Sequence, residues 1–168
     1  MTVLLWTFRA KFAKRLHKPW TLSQCGESSA FPAHSRCVHV CSTRTSITAG
    51  IVYYANYLRF LERGRTEFLR SLGHDQNVLM QEGIAFAVRS IAAEYLKPAR
   101  LDDLLVIETS IASLGRAQLS FAQRVRRDHE LLLDAKIRVA CIDPARGRAI
   151  PMPRILHQQL SALPETPQ

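Results

Sequence analysis

Apolar residues at Tyr57, Phe60, Leu61, Phe68 and Leu72 recur with a 3.6-residue period, and Leu58, Leu61, Leu69 and Leu72 widen that stripe. The stretch Ala49–Gly73 therefore predicts a Gly-containing turn running into one long helix that is apolar over more than half its girth. A helix of that kind is buried on most sides. Gly64 falls on the stripe, where the missing Cβ lets another backbone approach, and Gly73 is placed to end the helix. Asp75–Gly83 reads as a short capped turn of helix. The period then changes to two. Ile84, Phe86, Val88 and Ile91 open a strand that runs through Tyr95 and Leu96 and stops at Lys97-Pro98. Leu104–Ser113 is a second strand, and Leu114-Gly115-Arg116 turns it into a third, Ala117–Arg127. There Leu119, Phe121 and Val125 face one way, and Gln118, Ser120, Arg124 and Arg126 the other. Leu131–Ile142 is a fourth strand, with Leu133, Ala135, Ile137, Val139 and Cys141 inward. Pro153–Leu163 predicts a short amphipathic helix. A fifth strand is needed ahead of the long helix, and Cys37–Thr43 is the candidate.

Helix first and strands afterwards, with no alternation between them, is the pattern of an α+β domain. The arrangement that buries both elements is an antiparallel sheet wrapped around one long central helix. The 168 residues amount to one domain of 36–163, an irregular N-terminal segment of 1–35 and a tail of 164–168. The hydrophobic content of 47% suffices for a core, and no apolar run approaches the ~18 residues of a membrane span.

Charge changes this picture little. The net +9 suggests an anionic partner, yet residues 1–48 hold seven Lys and Arg against the single acid Glu27, and the remaining chain is only mildly basic. A nucleic-acid or membrane-surface reading thus rests on the N-terminal segment alone. That segment is a poor secretory signal, because the apolar run Val3–Phe8 precedes its positive charges instead of following them. Cys25, Cys37 and Cys41 form no C-x-x-C pair, Cys37-x3-Cys41 with His34 and His39 is only a weak metal signal, and Cys141 stands alone. Reduced, structural cysteines in a cytoplasmic protein with no metal are the simpler reading.

The run from Gly50 through Ile51-Val52-Tyr53-Tyr54-Ala55-Asn56-Tyr57-Leu58-Arg59-Phe60-Leu61 to Glu62-Arg63-Gly64-Arg65-Thr66-Glu67 resembles the hot-dog thioesterases. So do Leu96-Lys97-Pro98-Ala99-Arg100-Leu101-Asp102-Asp103 and Cys141-Ile142-Asp143-Pro144. The likeness is to the 4-hydroxybenzoyl-CoA thioesterase branch and its Tol-Pal-associated acyl-CoA thioesterase members, and it spans about two thirds of the chain. The resemblance implies a hot-dog fold and hydrolysis of acyl-CoA thioesters without cofactor or metal. It implies a homodimer or homotetramer, with acyl-CoA or acyl carrier protein as partner, and neither nucleic-acid binding nor stable membrane insertion. It also implies a site at the N-terminus of the central helix. There the backbone N–H groups of Gly50 and Ile51 stabilise the oxyanion, Tyr54 donates from a position often held by His, and an aspartate three residues before Gly50 acts as base or nucleophile. Tyr53 and Asn56 would line the substrate site, with Asn56 also a candidate helix cap. Arg116, Lys97 and Arg100 would meet the CoA phosphates.

In this chain the aspartate position is Ile47, and residues 28–61 contain no Asp or Glu. Glu62 and Glu67 are the nearest carboxylates, but Arg59, Arg63 and Arg70 lie three or four residues away, the spacing of helix-face ion pairs. Two explanations of the missing carboxylate stand. One is a catalytically inactive acyl-CoA or acyl-carrier binding homologue at the cell envelope. The other is a shifted reading frame upstream. The family writes this strand Tyr-Glu-Asp-x-Asp, and the codons UAC-GAG-GAC read one base late give Thr-Arg-Thr, which is Thr43-Arg44-Thr45 here.

Overall fold

The structure, a computed structural model, describes residues 35–40, 47–48 and 50–163. Its elements run β1 (Ser35–Val40), β2 (Ile47–Thr48), β3 (Ile51–Val52), α1 (Tyr54–Ser71), α2 (Gln76–Gln81), β4 (Ala85–Tyr95), β5 (Leu104–Leu114), β6 (Gln118–Arg127), β7 (Glu130–Asp143), β8 (Arg148–Ala149) and α3 (Arg154–Ser161). Five strands form an antiparallel sheet in the order β1-β5-β6-β7-β4, and β8 adds to β7. The helix and the four strands after it stand where the periodicities put them. The strand ahead of the helix is present too, at Ser35–Val40 instead of Cys37–Thr43, paired in regular register with β5 from Ser35 opposite Thr109 to Val40 opposite Leu104. The ordered sheet thus reaches back before Gly50. The N-terminal segment, Cys25 and Cys41 lie outside the described residues.

Local chemistry sets the ends of α1. Gly50, at φ +78, makes the tight β2–β3 turn in which Ile47 pairs with Val52 and Thr48 with Ile51. Such a turn is too short to register as strands in a periodicity reading. At the other end the N–H of Gly73 donates to Arg70 O at 2.9 Å and that of His74 to Leu69 O at 3.0 Å. These are the two bonds of a Schellman cap, with Gly73 left-handed at φ +86. In α2, Asp75 Oδ1 accepts from Asn77 N at 2.7 Å and caps the first turn.

The core lies between α1 and the concave face of the sheet. Tyr57, Phe60, Leu61, Phe68, Leu69 and Leu72 are buried against Leu105, Ile107 and Ile111 of β5, Leu119, Phe121 and Val125 of β6, and the inward row of β7. Phe68 meets Phe121 edge to face with ring centres 5.7 Å apart. Register shifts at Val88/Ser90, Ile111/Ser113 and Val125/Arg126 put extra bend into three strand pairs, which lets the sheet curl around the helix. Helix α3 closes the far end with Leu156 and Leu160 buried, and His74 bonds Gln159 at 2.5 Å. His74, just past the end of α1, therefore ties that end to α3. No helix among the described residues is long and apolar enough to cross a membrane.

Candidate active site

The sequence places its chemistry at the N-terminus of α1, and the fold builds a distinct wall around that point. Tyr53 is the N-cap residue at φ −58, ψ 133 and supplies no side-chain cap. Asn56 is accordingly not the cap. The helix begins at Tyr54, so Asn56 falls inside the first turn and is buried. The first N–H groups of a helix have no acceptor within it, and among the described residues Asn56 N turns back to Tyr53 O at 2.9 Å. The partial positive charge of the helix end therefore opens at Tyr54 and Ala55.

The stretch after β4 holds this end in place. Val52 N donates to Ala99 O at 2.8 Å, Ala99 N donates to the Tyr57 hydroxyl at 2.7 Å, and Ile51 bridges Arg100. Asp103 shapes the same turn by accepting from Arg100 N at 2.8 Å and from Arg127 Nη1 at 2.7 Å. Position 47 lies across the short ladder from Val52, two residues before the helix begins.

Three exposed tyrosine rings, Tyr53, Tyr54 and Tyr95, cluster at the mouth against the buried Tyr57. Tyr53 and Tyr54 have ring centres 4.5 Å apart, Tyr54 meets Tyr95 edge-on at 6.3 Å, and Tyr95 meets Tyr57 at 5.5 Å. Tyr95 Oη donates to Tyr54 O at 3.2 Å. Tyr53 and Tyr54 are 44% and 59% exposed, open to a ligand and not core aromatics. The Tyr54 hydroxyl pushes the Tyr53 phenol above its ordinary value, and burial, then Tyr54, do the same for Tyr95. Both phenols stay protonated, and so remain donors, throughout the neutral range. Sequence reasoning did not single out Tyr95. The signal was its place in the period-two row with Ile91, which aims it at the helix side of β4.

The structure separates the cationic candidates. Lys97 and Arg100 flank the mouth, but Lys97 Nζ is held by Glu130 Oε1 at 2.6 Å. Arg116 lies in the β5–β6 turn, where its carbonyl accepts from Met152 N at 2.9 Å near the start of α3. It is a full strand length, roughly 36 Å along β5, from the Arg100 end. Within one chain Arg116 and the helix mouth do not meet. Of the helix carboxylates, Glu67 pairs with Arg70 at 2.6 Å, as the spacing suggested, and Glu62 makes no ion pair among the described residues. Cys141 is buried, and burial pushes its thiol up, so it is not poised as a nucleophile.

A cavity of about 290 Å³ opens lower on α1, walled by Leu58, Leu61 and Arg65 of the helix and by Phe86, Val88 and Ile91 of β4. Arg65 is only 8% exposed. Its Nη1 donates to Gln123 Oε1 at 2.8 Å, and Gln123 Nε2 donates in turn to Leu61 O and to Thr109 Oγ1, each at 2.9 Å. Burial pulls the Arg65 guanidinium below its usual value, while Glu62 acts in the opposite direction. The pattern of the chain gave no sign of this buried cation.

A long helix whose mouth faces outward from a curled five-stranded sheet is an arrangement shared with known proteins. The thioesterase superfamily model matches residues 49–133, and the chain belongs to that superfamily, with the hot-dog fold. The acyl-CoA thioester hydrolase YbgC of Escherichia coli O6:H1 (strain CFT073) is 44% identical over 106 residues, which are 62% of this chain and 79% of that one. A probable thioesterase from Bartonella henselae, known from its crystal structure, superposes with a TM-score of 0.69 at 33% identity, over 72% of this chain and 100% of the other. A 4-hydroxybenzoyl CoA thioesterase crystallised with 4-hydroxybenzoyl CoA gives a TM-score of 0.70 over 77% of this chain and 99% of its own. At 24% identity that is a likeness of fold alone.

Proposed function

We propose that this protein hydrolyses acyl-CoA thioesters to the free acid and CoA at the mouth of α1. One observation carries the reading. The N-terminus of the central helix opens beside three tyrosine rings, with position 47 facing Val52 across the ladder that leads into it. The 44% identity to an acyl-CoA thioester hydrolase supports it. Water adds to the thioester carbonyl carbon, and the oxyanion accepts hydrogen bonds from backbone N–H groups of Gly50, Ile51 and the first helical turn. The C–S bond then breaks and CoA leaves as the thiol. Tyr53, Tyr54 and Asn56 line the acyl side, while Lys97 and Arg100 are nearest for the phosphates. No cofactor or metal takes part.

The water needs a base. A carboxylate at position 47 would take its proton, and Ile47 cannot. We read the natural protein as carrying Asp there, upstream residues having been translated out of frame. A second reading, a binding protein without catalysis, is favoured by Ile47 itself. The partners of the proposed enzyme are acyl-CoA and acyl carrier protein, its place is the cytoplasm near the Tol-Pal system, and its assembly is a homodimer. The dimer is supported by β4, an eleven-residue strand at the end of the sheet order whose helix-side residues Val88 and Ile91 remain 49% and 41% exposed.

The test is thiol release from aliphatic and aromatic acyl-CoAs by this chain and by Ile47→Asp. A well-placed base contributes roughly 10²–10⁴-fold, so Ile47→Asp should gain at least about 100-fold in kcat/KM. Hydrolysis by neither chain would defeat the enzymatic reading. The coding DNA around codons 35–50 gives an independent answer: the frame reading fails unless another frame there spells a Tyr-Glu-Asp-like strand.

A further inference from the structure

The oxyanion donors of the proposed site sit on two different pieces of the chain. Gly50 and Ile51 belong to the two-stranded β2–β3 ladder, which stands apart from the main sheet, and the other N–H groups belong to the first turn of α1. Tyr53 joins the two pieces and makes no side-chain cap that would fix the angle between them. Among the described residues the backbone bonds from the ladder to the rest of the fold run through Ala99 and Arg100. Val52 N donates to Ala99 O at 2.8 Å, and Ile51 bridges Arg100. This link between β4 and β5 is anchored on the sheet. Leu96 N and Lys97 N both donate to Leu132 O of β7, at 2.9 and 3.2 Å, and Asp103 accepts from Arg100 N and from Arg127 of β6. The sheet therefore carries the ladder.

Ala99 is where that frame meets α1. Its N–H donates at 2.7 Å to the hydroxyl of Tyr57, in the first turn of the helix. Both residues are buried, so the N–H has no water to fall back on. The Tyr57 ring is packed against Tyr95 and Phe60, with ring centres 5.5 and 5.8 Å away. Ala99 thus holds the helix with its nitrogen and the ladder with its carbonyl. We propose that Tyr57 is a positioning residue: its hydroxyl, through Ala99, sets the turn of Gly50 and Ile51 at the height where its N–H groups and those of the first helical turn point at one oxygen. This role rests on the thioesterase reading and deepens it. Tyr57 is buried and acts on the geometry of the donors, not on the substrate. Without the hydroxyl, Ala99 N–H is left buried without that acceptor. The link then shifts to find another and carries Val52 and the turn with it. A displacement of about 1 Å in a site of this kind is enough to cost about 100-fold in rate.

Tyr57→Phe keeps the ring contacts and removes the hydroxyl. Added to Ile47→Asp, which supplies the base, it should lower kcat about 10- to 100-fold and leave the KM for acyl-CoA within about twofold, because the binding surfaces are untouched. Ile111→Val, the loss of one buried methylene towards the far end of β5, should leave both constants in place and so separates positioning from a general loss of stability. An unchanged kcat in Tyr57→Phe, a raised KM at unchanged kcat, or an equal fall in Ile111→Val overturns the role. Amide hydrogen exchange on the chain with Ile47 in place reads the same link without catalysis. Val52 N and Ala99 N should exchange at least about 10-fold faster in Tyr57→Phe, while Gly73 N at the other end of α1 keeps its protection. Unchanged exchange at Val52 and Ala99 in an active enzyme overturns the positioning alone. If Ile47→Asp releases no thiol, the thioesterase reading falls and takes this role with it. If Tyr57→Phe does not fold, the parent chain decides: Val52 N and Ala99 N should open as one unit with one common rate, and unrelated rates overturn the link.

Discussion

Gly64 sits where α1 crosses the sheet, and any side chain there crowds its neighbours. A Cβ at this position would stand 2.7 Å from Ile107 Cγ2, 2.9 Å from Thr109 Oγ1 and 3.1 Å from Gln123 Nε2. Two of these neighbours are short β-branched side chains with little freedom to move, and the third is held by three hydrogen bonds to Arg65, Leu61 and Thr109. Alanine would add about 1 kcal/mol of helix propensity, but forcing the extra carbon into a packed interface costs about 1–3 kcal/mol. Overpacking wins, and Gly64→Ala should lower stability in a urea titration at unchanged m-value. A gain in stability would show that helix and sheet can separate freely. The need for a small residue was legible from the position of Gly64 on the apolar stripe. Its polar neighbours were not. Gln123 falls in the same alternating row as Phe121 and Val125, and Arg65 reads as one more surface arginine until β6 brings Gln123 beneath it. Pairing between residues 58 positions apart leaves no mark in a local pattern.

At the scale of elements, ion pairs fix the turn that frames the helix mouth. Glu130, at the start of β7, accepts from Lys97 Nζ at 2.6 Å and from Arg127 Nη2, and Arg127 Nη1 also reaches Asp103 at 2.7 Å. The hydrogen bond from Lys97, then that from Arg127, holds the Glu130 carboxyl below its ordinary value of 4.5. A carboxyl depressed in the folded state stabilises the fold above its unfolded pKa, and that contribution disappears as pH falls through the folded value. The melting temperature should therefore drop between about pH 5 and pH 3, and Glu130→Gln should drop less over the same range. Equal slopes for the two proteins would remove Glu130 from the acid response. The Lys97–Glu130 pair is exposed and the Arg127 pairs are half-buried, so high salt should weaken the first most. The strands they join were legible from period two alone. That Lys97, Arg127 and Asp103 converge was not, because the positive-φ turn at Asp102, which brings them together, depends on tertiary contacts.

Among the described residues the sheet wraps α1 unequally. Strands β5, β6 and β7 press their inner rows onto α1, whereas β4, the last strand in the sheet order, leaves Val88, Ile91 and Tyr95 open at its helix face. The alternation of β4 predicts buried residues there, and it is correct about the face but not about what covers it. One helix has too little girth to cover five strands, and sheet order is a long-range property that places the first strand after α1 at the far edge. An eleven-residue edge strand with an apolar inner face is unstable against pairing with another copy. Lysines at these positions should therefore leave the fold intact and abolish assembly. In Val88→Lys/Ile91→Lys, light scattering after size exclusion should give a monomer with the helical circular dichroism of the parent chain, because both side chains are already half exposed and have solvent to turn into. If the double variant stays dimeric, the contact runs through another surface, and the open face of β4 belongs to the acyl chain instead of to a second copy.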